Sequence, residues 1–230
     1  MHTTSFIIAS ALFVSCAHAL IAPQASTKIV PQLVCTLPAH NPKLWPSRRF
    51  DDGPNTYTKT IVDTLDKAGG KATFFFNGKN YNCIYDTTNA DRAKYAFDVA
   101  IRANDAIKKI TGAVPAFVRP PFGEYNANVQ NVAGSFGQSL VTWDLDSQDW
   151  NGASVSQTEA TYKSRIDSNA NGILTLNHEV YAGSATQVLP WVINYAKSKG
   201  YKLVTVAECV GAQPYISKGS PSARDSSWVC

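Results

Sequence analysis

The chain has 230 residues, of which 44% are hydrophobic, 11% aromatic and 17% charged. This composition supports one sizeable hydrophobic core and excludes general disorder, which is typical of chains poor in apolar residues and rich in charge. The formal net charge is +4, and no basic run is longer than Arg48-Arg49 or Lys108-Lys109. A nucleic-acid-binding protein concentrates its basic residues on one element, so this distribution argues against that class.

Residues 1–19 are predicted to be a secretory signal peptide. Residues 6–14 form an apolar run that is too short to span a bilayer, which takes about 20 apolar residues. Ala17 and Ala19 are small residues at the positions that signal peptidase requires, three and one residues before the cleavage site. A buried N-terminal helix is the alternative interpretation. We expect residues 20–230 to form a single secreted domain with no membrane anchor.

Four cysteines remain in the expected mature chain, and an even number suits two disulfides in an oxidising compartment. Sequence alone permits three connectivities among them. Metal binding by these cysteines is less expected, because no C-x-x-C spacing occurs. The four are Cys35, Cys83, Cys209 and Cys230.

Residues 20–45 contain prolines and little patterning, which predicts an ordered coil. From Phe50 onward, helical stripes of apolar residues alternate with short apolar runs, and Gly112 is expected to end the second helix. This alternation predicts an α/β fold with a parallel sheet and right-handed crossovers, either open or closed into a barrel. Functional residues of such folds lie at the C-terminal ends of the strands. The predicted helices cover residues 58–68, 93–110, 129–136, 155–167 and 186–199, and the predicted strands cover 72–76, 116–118, 139–145, 172–176 and 201–206.

The first candidate motif is Phe-Asp-Asp-Gly-Pro at residues 50–54. Two adjacent carboxylates before a Gly-Pro turn can place one carboxylate on a metal and leave the other to take a proton from bound water. A solvated, aspartate-rich turn is the usual interpretation when this motif stands alone.

Two further motifs follow predicted strands. Residues 119–123 read Arg-Pro-Pro-Phe-Gly, and the prolines would fix the backbone and aim the guanidinium group; a structural proline turn is the alternative. Residues 144–150 place three aspartates beside Trp150. A tryptophan beside acids suits sugar binding, although a tryptophan of the core is the commoner case.

The last motif is the apolar run at residues 172–179, which delivers His178 at the C-terminal edge of a predicted strand. A lone histidine is more often structural than catalytic. Its placement beyond the end of a strand favours a role as a general acid.

These motifs extend into longer segments that read FDDGPNTYT, ATFFFNG, RPPFG, VTWDLDS, LTLNHE, YKLVTVAEC and GSPSARDSSWVC. Their order and spacing resemble the fungal chitin deacetylases, members of the NodB-type polysaccharide deacetylase family (carbohydrate esterase family 4). The resemblance runs from about residue 30 to residue 230. It implies a distorted (β/α) barrel that removes acetyl groups from the N-acetylglucosamine units of chitin, giving chitosan and acetate. It also implies a divalent metal cofactor, Zn²⁺ or Co²⁺.

The resemblance assigns the hydrolytic chemistry to particular residues. Asp51 matches the catalytic base, and Asp52 matches the metal-binding carboxylate. Arg119 matches the arginine that orients the base. The backbone N–H of Phe122 matches a donor to the oxyanion.

The resemblance also assigns the acid side of the site. His178 matches the general acid, and Asp146 and Asp149 lie in the motif whose acid tunes that histidine. Trp150 matches an aromatic wall of the site, and Leu176 matches the residue that lines the pocket for the acetyl methyl group. The same resemblance implies that Cys35 pairs with Cys209 and that Cys83 pairs with Cys230.

The sequence departs from the family pattern at the metal site. The family uses one aspartate and two histidines, and the histidines come from an H-S/T-x-x-H/S-H type motif between the segments that match ATFFFNG and RPPFG. Residues 86–115 contain no histidine. We expect that motif and its strand to be deleted, so that residues 94–104 join two family helices directly.

A second departure precedes Phe50, where the family has an apolar strand. Residues 41–49 contain two prolines and adjacent arginines, which do not suit a central buried strand. We therefore predict an incomplete barrel, with one strand missing and a second disrupted.

The histidine count bears directly on activity. The chain has four histidines, and signal cleavage would remove His2 and His18. His178 is assigned to acid catalysis, and His40 lies on a proline-containing segment eleven residues before Asp51. A single carboxylate binds Zn²⁺ poorly compared with an Asp-His-His set. We therefore predict a secreted chitin deacetylase-like protein whose activity is impaired or lost.

Two other hypotheses remain open at this stage. The first is a non-catalytic chitin-binding protein or decoy that keeps parts of the sugar groove. The second is an alternative transcript that folds poorly. The expected partner is chitin or a chitin oligomer, with no nucleic acid, and the expected state is a monomer.

Overall fold

The computed structural model describes residues 29–30, 44–46, 49–81, 83–86, 88, 103–168, 170 and 172–230. The predicted signal peptide, Cys35, His40 and residues 89–102 lie outside the described residues. The described strands are β1 (Ile29–Val30), β2 (Leu44–Pro46), β3 (Arg49–Gly53), β4 (Thr73–Phe76), β5 (Ala113–Pro115), β6 (Phe117–Val118), β7 (Ser139–Val141), β8 (Leu145–Asp146), β9 (Thr175–His178), β10 (Lys202–Val204) and β11 (Tyr215–Lys218). The described helices are α1 (Thr58–Lys67), α2 (Asn104–Thr111), α3 (Ala127–Ser135), α4 (Val155–Asp167), α5 (Leu189–Ser198) and α6 (Val206–Val210).

The main sheet has the strand order β4-β3-β9-β8, and all its strands are parallel. Asp51 on β3 lies opposite His178 on β9, and Asp146 on β8 lies opposite Leu176 on β9. Because parallel strands end at the same edge of a sheet, this register gathers the polar residues of three strands at the C-terminal edge.

Three smaller groups of strands complete the described sheet structure. A parallel sheet has the order β1-β7-β6, β2 pairs in parallel with β10, and β5 pairs antiparallel with β11. None of the helices in the described ranges is long and apolar enough to cross a membrane.

The core lies between the main sheet and the helices that cover it. On the sheet, Phe50 is fully buried and stacks on Phe74, with ring centroids 5.4 Å apart. Helix α1 faces the core with Ile61 and Leu65, which are four residues apart and therefore on one side of the helix. Burying one such side chain contributes about 1.5–3 kcal/mol, so this packing holds the strand ends that carry the polar residues.

Most elements predicted from periodicity are confirmed, with shifted ends. Gly112 ends α2 in a left-handed conformation with a φ of 78°, as the sequence predicts for a glycine stop. The confirmed helices are α1, α3, α4, α5 and the described part of the helix predicted at 93–110, and the confirmed strands are β4, β6 and β10.

Two strand predictions need correction. The strand predicted at 139–145 is wrong as a unit, because it divides into β7 and β8, which belong to different sheets. The chain turns between them because Asp144 binds Leu174: its backbone N–H donates to the Leu174 carbonyl, and its side chain accepts from the Leu174 N–H. The strand predicted at 172–176 begins later, at Thr175, and includes His178.

The predictions for the region before Phe50 are wrong in part. The coil predicted at 20–45 contains the short strands β1 and β2, and Arg49 begins β3, a central strand of the main sheet. Pro46 is tolerated because it is the last residue of β2, whose one partner within the described ranges is β10. The strand that enters the aspartate motif is predicted to be disrupted, but residues 49–53 form a continuous strand of the main sheet.

Candidate active site

The two adjacent aspartates lie where β3 ends in a tight turn. Asp52 has a φ of 71°, in the left-handed region that non-glycine residues adopt rarely. Gly53 is required, because a Cβ atom there would lie 2.3 Å from the Glu179 carboxylate. Glu179 is fully buried and accepts hydrogen bonds from the Asn55 backbone N–H, at 2.7 Å, and from the Thr58 hydroxyl. These contacts fix the turn and hence the direction of both aspartates.

Arg119 reaches Asp51 from the residue after β6. One guanidinium nitrogen donates to both carboxylate oxygens of Asp51, at 2.8 and 3.0 Å, and another donates to the Thr175 carbonyl at 3.2 Å. The guanidinium carbon lies 4.7 Å from the ring centroid of Phe75 and 5.3 Å from that of Trp143. Burial lowers the pKa of Arg119 and Asp51 offsets part of that effect, so the arginine stays charged and holds Asp51 in one orientation.

His178 is held by Asp149 on the opposite side of the site. The Nδ1 atom of His178 lies 2.8 Å from one oxygen of Asp149, and the His178 backbone N–H donates to the other at 2.8 Å. The hydroxyl of Ser184 also donates to Asp149, at 2.8 Å. Asp146 instead accepts from the indole N–H of Trp150, at 3.1 Å. Of the two acids that the sequence left open, the structure places Asp149 against the histidine.

These contacts set the charges of the pair. Burial alone would lower the pKa of His178, but Asp149, Asp51 and Asp52 together raise it above its ordinary value. Burial would raise the pKa of Asp149, but the hydrogen bonds from His178 and Ser184 lower it. Because Asp149 occupies Nδ1, Nε2 is the ring nitrogen that can exchange a proton with a bound molecule.

Asp52 is the residue that the sequence assigns to a metal. Its Oδ1 atom accepts a hydrogen bond from the Asn77 amide at 2.9 Å, and the nearby Asn80 amide favours the charged form of the carboxylate. Burial raises the pKa of Asp52, His178 acts against this, and Asp51 adds to it.

The residues around Asp52 do not fit the metal that the family resemblance implies. Zn²⁺ sites are built from imidazole, thiolate and carboxylate ligands, whereas this carboxylate accepts from the neutral Asn77 amide and has the Asn80 amide nearby. Within the described part of the chain, no group of three or more His, Cys, Asp or Glu residues could hold a metal ion. His40, the other candidate ligand, lies outside the described residues.

Several aromatic side chains stand around the acids. Trp150 is 51% exposed, Phe122 is 94% exposed in the turn after Arg119, and Leu176 is buried on β9. Sequence reasoning missed Tyr181, whose ring meets the edge of His178 with centroids 5.9 Å apart. The signal for it was available, because an aromatic residue three positions after a histidine at a strand end lies near the same edge.

A cavity of about 350 Å³ opens beside the histidine–aspartate pair. Trp150 and Tyr181 supply aromatic walls, and Asp149 and Ser184 supply polar atoms. A cavity with aromatic walls and a few fixed polar groups suits a sugar ring, which has apolar faces and polar edges.

Three other positioning groups were missed by the sequence analysis. Glu179 follows His178 directly, and a charge next to an apolar strand was the available signal. Asn77 and Asn80 lie in a loop, where asparagine is common and carries no distinctive signal.

A disulfide joins the loop after β4 to the C-terminus. Cys83 is bonded to Cys230, the pairing that the resemblance implies. Cys209 is also disulfide-bonded, and its expected partner Cys35 lies outside the described residues.

The sequence of the chain is similar to those of known deacetylases. The family model for polysaccharide deacetylase matches residues 47–98 and 85–141. A chitin deacetylase of a Pestalotiopsis species is 30% identical over 189 residues, which are 70% of this chain. The match spans 62% of the length of that relative.

Solved structures show the same fold. The chitin deacetylase of the fungal pathogen Colletotrichum lindemuthianum superposes with a TM-score of 0.69 at 24% identity, covering 76% of this chain and 92% of that one. A mutant of a CE4-family pseudoenzyme, with restored enzymatic activity, gives a TM-score of 0.63 at 22% identity, covering 74% of this chain and 68% of that one. The fold and the strand-end site define a distorted α/β barrel of the deacetylase type. The chain is similar to the polysaccharide deacetylases over the residues that the family model matches, and it has their fold.

Proposed function

We propose that this protein is secreted, binds chitin-type chains of N-acetylglucosamine, and removes their acetyl groups far more slowly than an intact family member or not at all. The substrate class rests on the matched relative, which is a chitin deacetylase. Secretion rests on the pattern of residues 1–19. The reduced turnover rests on the ligands available to Asp52.

The acid and base of the reaction are retained and well placed. Asp51 is oriented by Arg119 and would accept a proton from an attacking water. His178, oriented by Asp149, would donate a proton to the departing amine nitrogen. The cavity lined by Asp149, Trp150 and Tyr181, next to the histidine, would receive the sugar.

The missing part is the means of activating the water and the amide carbonyl. Neutral water attacks an amide slowly, and the family relies on a metal for this activation. The full sequence contains four histidines, and the proposed mature chain contains two of them, His40 and His178. Because His178 is held by Asp149, the family's two-histidine metal set cannot be assembled from this chain while His178 serves as the acid. We propose that the segment carrying the family's histidine motif is deleted.

A non-catalytic member of this fold has a precedent. One solved structure of the same fold is a mutant of a CE4-family pseudoenzyme in which enzymatic activity was restored. The proposal that the present chain is impaired is supported by the same kind of case: Asp51 and His178 are oriented as an acid and base would be, and the described residues contain no group of three or more His, Cys, Asp or Glu that could hold a metal ion.

The test is acetate release from chitin oligomers, with added Zn²⁺ or Co²⁺, measured beside a chitin pull-down. We expect the protein to bind chitin and to release acetate no faster than its Asp52→Ala variant. The exposed Asp66→Ala variant on α1 is the matched control for an aspartate substitution. Metal-stimulated acetate release that Asp52→Ala abolishes and Asp66→Ala retains would contradict the proposal and show a working deacetylase.

A further inference from the structure

The loop that follows β4 is held directly over Asp52. The Asn77 backbone N–H donates to the Gly53 carbonyl at 2.8 Å, which ties the start of the loop to the aspartate turn. The Ile84 N–H donates to the Gly78 carbonyl at 2.9 Å, which closes the loop on itself. The loop is further fastened by the Cys83 disulfide. These contacts hold the backbone of the loop beside the aspartate turn.

Two amide side chains of this loop lie beside the carboxylate of Asp52. Asn77 donates to Oδ1 of Asp52 at 2.9 Å, and the Asn80 amide lies close enough to favour the charged form of the same carboxylate. A primary amide carries two N–H bonds and one carbonyl oxygen, so Asn77 keeps a donor and an acceptor after its bond to Asp52, and the exposed Asn80 amide also offers both kinds of group. Asp52 itself keeps acceptor capacity, since a carboxylate can accept about four hydrogen bonds.

This set matches the polar groups of an N-acetylated sugar. The acetamido group offers one N–H donor and one carbonyl acceptor, and each sugar hydroxyl offers both. Tyr81, in the same loop, is 55% exposed; partial burial of its hydroxyl raises the pKa of that group, and the nearby charge of Asp52 adds to this effect. It adds an aromatic face, of the kind on which the apolar side of a pyranose ring packs.

We propose that Asp52, Asn77 and Asn80 form a metal-independent binding site for an N-acetylated pyranose, with Tyr81 as its aromatic wall. The inference rests on the proposed function, because it takes the ligand to be a chitin-type sugar. It goes beyond that function by replacing metal coordination of the acetamido group with direct hydrogen bonds from the protein.

The experiment is calorimetric titration of the protein with chitotetraose, once in excess EDTA and once with Zn²⁺. We expect equal affinity in the two buffers.

The Asn77→Ala/Asn80→Ala double variant should bind about tenfold more weakly, since the loss of one to two net hydrogen bonds of about 1 kcal/mol each corresponds to that change. Asn80→Ala alone, which removes an exposed side chain and leaves the core untouched, should bind about fivefold more weakly. Asn128→Ala, at an exposed position on α3, is the matched control and should bind as the unchanged protein does.

The outcomes separate the inference from the function on which it rests. Binding that is lost in EDTA, or that survives unchanged in the double variant, would overturn the metal-independent site and leave the proposed function standing. Failure of the unchanged protein to bind chitotetraose in either buffer would overturn both.

Discussion

Replacing Arg119 with methionine is expected to lower the free energy of unfolding by about 3–5 kcal/mol, because it leaves the Asp51 carboxylate without its cation at a site that is largely closed to solvent. The side chain of Arg119 is 3% exposed and that of Asp51 is 15% exposed, so water cannot replace the lost contacts. Methionine retains much of the packing on Phe75 and Trp143 while removing the charge. Chemical denaturation at constant pH measures the change.

Arg165→Met is the matched control for this substitution. Arg165 pairs with Asp144 at 3.3 Å, and its side chain is 36% exposed. A partly exposed ion pair contributes about 0–1 kcal/mol, so this variant should remain close to the unchanged protein. If both variants lose the same free energy of unfolding, the buried Arg119–Asp51 pair stabilises the fold no more than the partly exposed Arg165–Asp144 pair does.

Replacing Asp149 with asparagine is expected to lower the pKa of His178 and to destabilise the protein by about 2 kcal/mol near pH 6, because a charged hydrogen bond in a buried pair is lost. Titration of the imidazole by NMR measures the pKa, and denaturation at several pH values measures the stability. Asp146→Asn is the control, since Asp146 accepts from Trp150 and not from the histidine ring.

The pH dependence of that loss has a definite sign. The pKa of His178 is raised in the folded state, so its contribution is complete below the unfolded value of about 6.5 and disappears as pH rises through the folded value. The pKa of Asp149 is lowered, so its contribution is present above the unfolded value of about 3.9 and disappears as pH falls through the folded value. The difference between the unchanged protein and Asp149→Asn should therefore be largest at mildly acidic pH. A difference that grows steadily toward alkaline pH would contradict this account.

The alternation of helices and strands was predictable because periodicity reports which face of an element is buried. What the sequence could not supply was strand pairing. Residues 139–145 read as one strand because their β-forming residues are continuous, and the break at Asp144 depends on Leu174, which lies far along the chain. The shift of β9 toward His178 likewise reflects its pairing with β3, which no local pattern encodes.

The part of the site that lies at strand ends was also predictable from the sequence. Asp51, Arg119 and His178 stand at strand ends, and the sequence places them there. The choice between Asp146 and Asp149 required the short helical turn at Asp149–Asn151, which brings the second acid back to the histidine. The hydrogen bond from Asn77 to Asp52 depends on the conformation of the loop after β4, so neither periodicity nor motif spacing predicts it.

The described residues provide no group of three or more His, Cys, Asp or Glu that could hold a metal ion with Asp52, and equilibrium dialysis against micromolar Zn²⁺ tests this most directly. The unchanged protein, Asp52→Ala and His40→Ala should retain the same small amount of Zn²⁺, because the described part of the chain forms no metal site around Asp52. One equivalent of Zn²⁺ per chain that is lost in Asp52→Ala would contradict the claim. Its loss in His40→Ala as well would identify His40 as the recruited ligand.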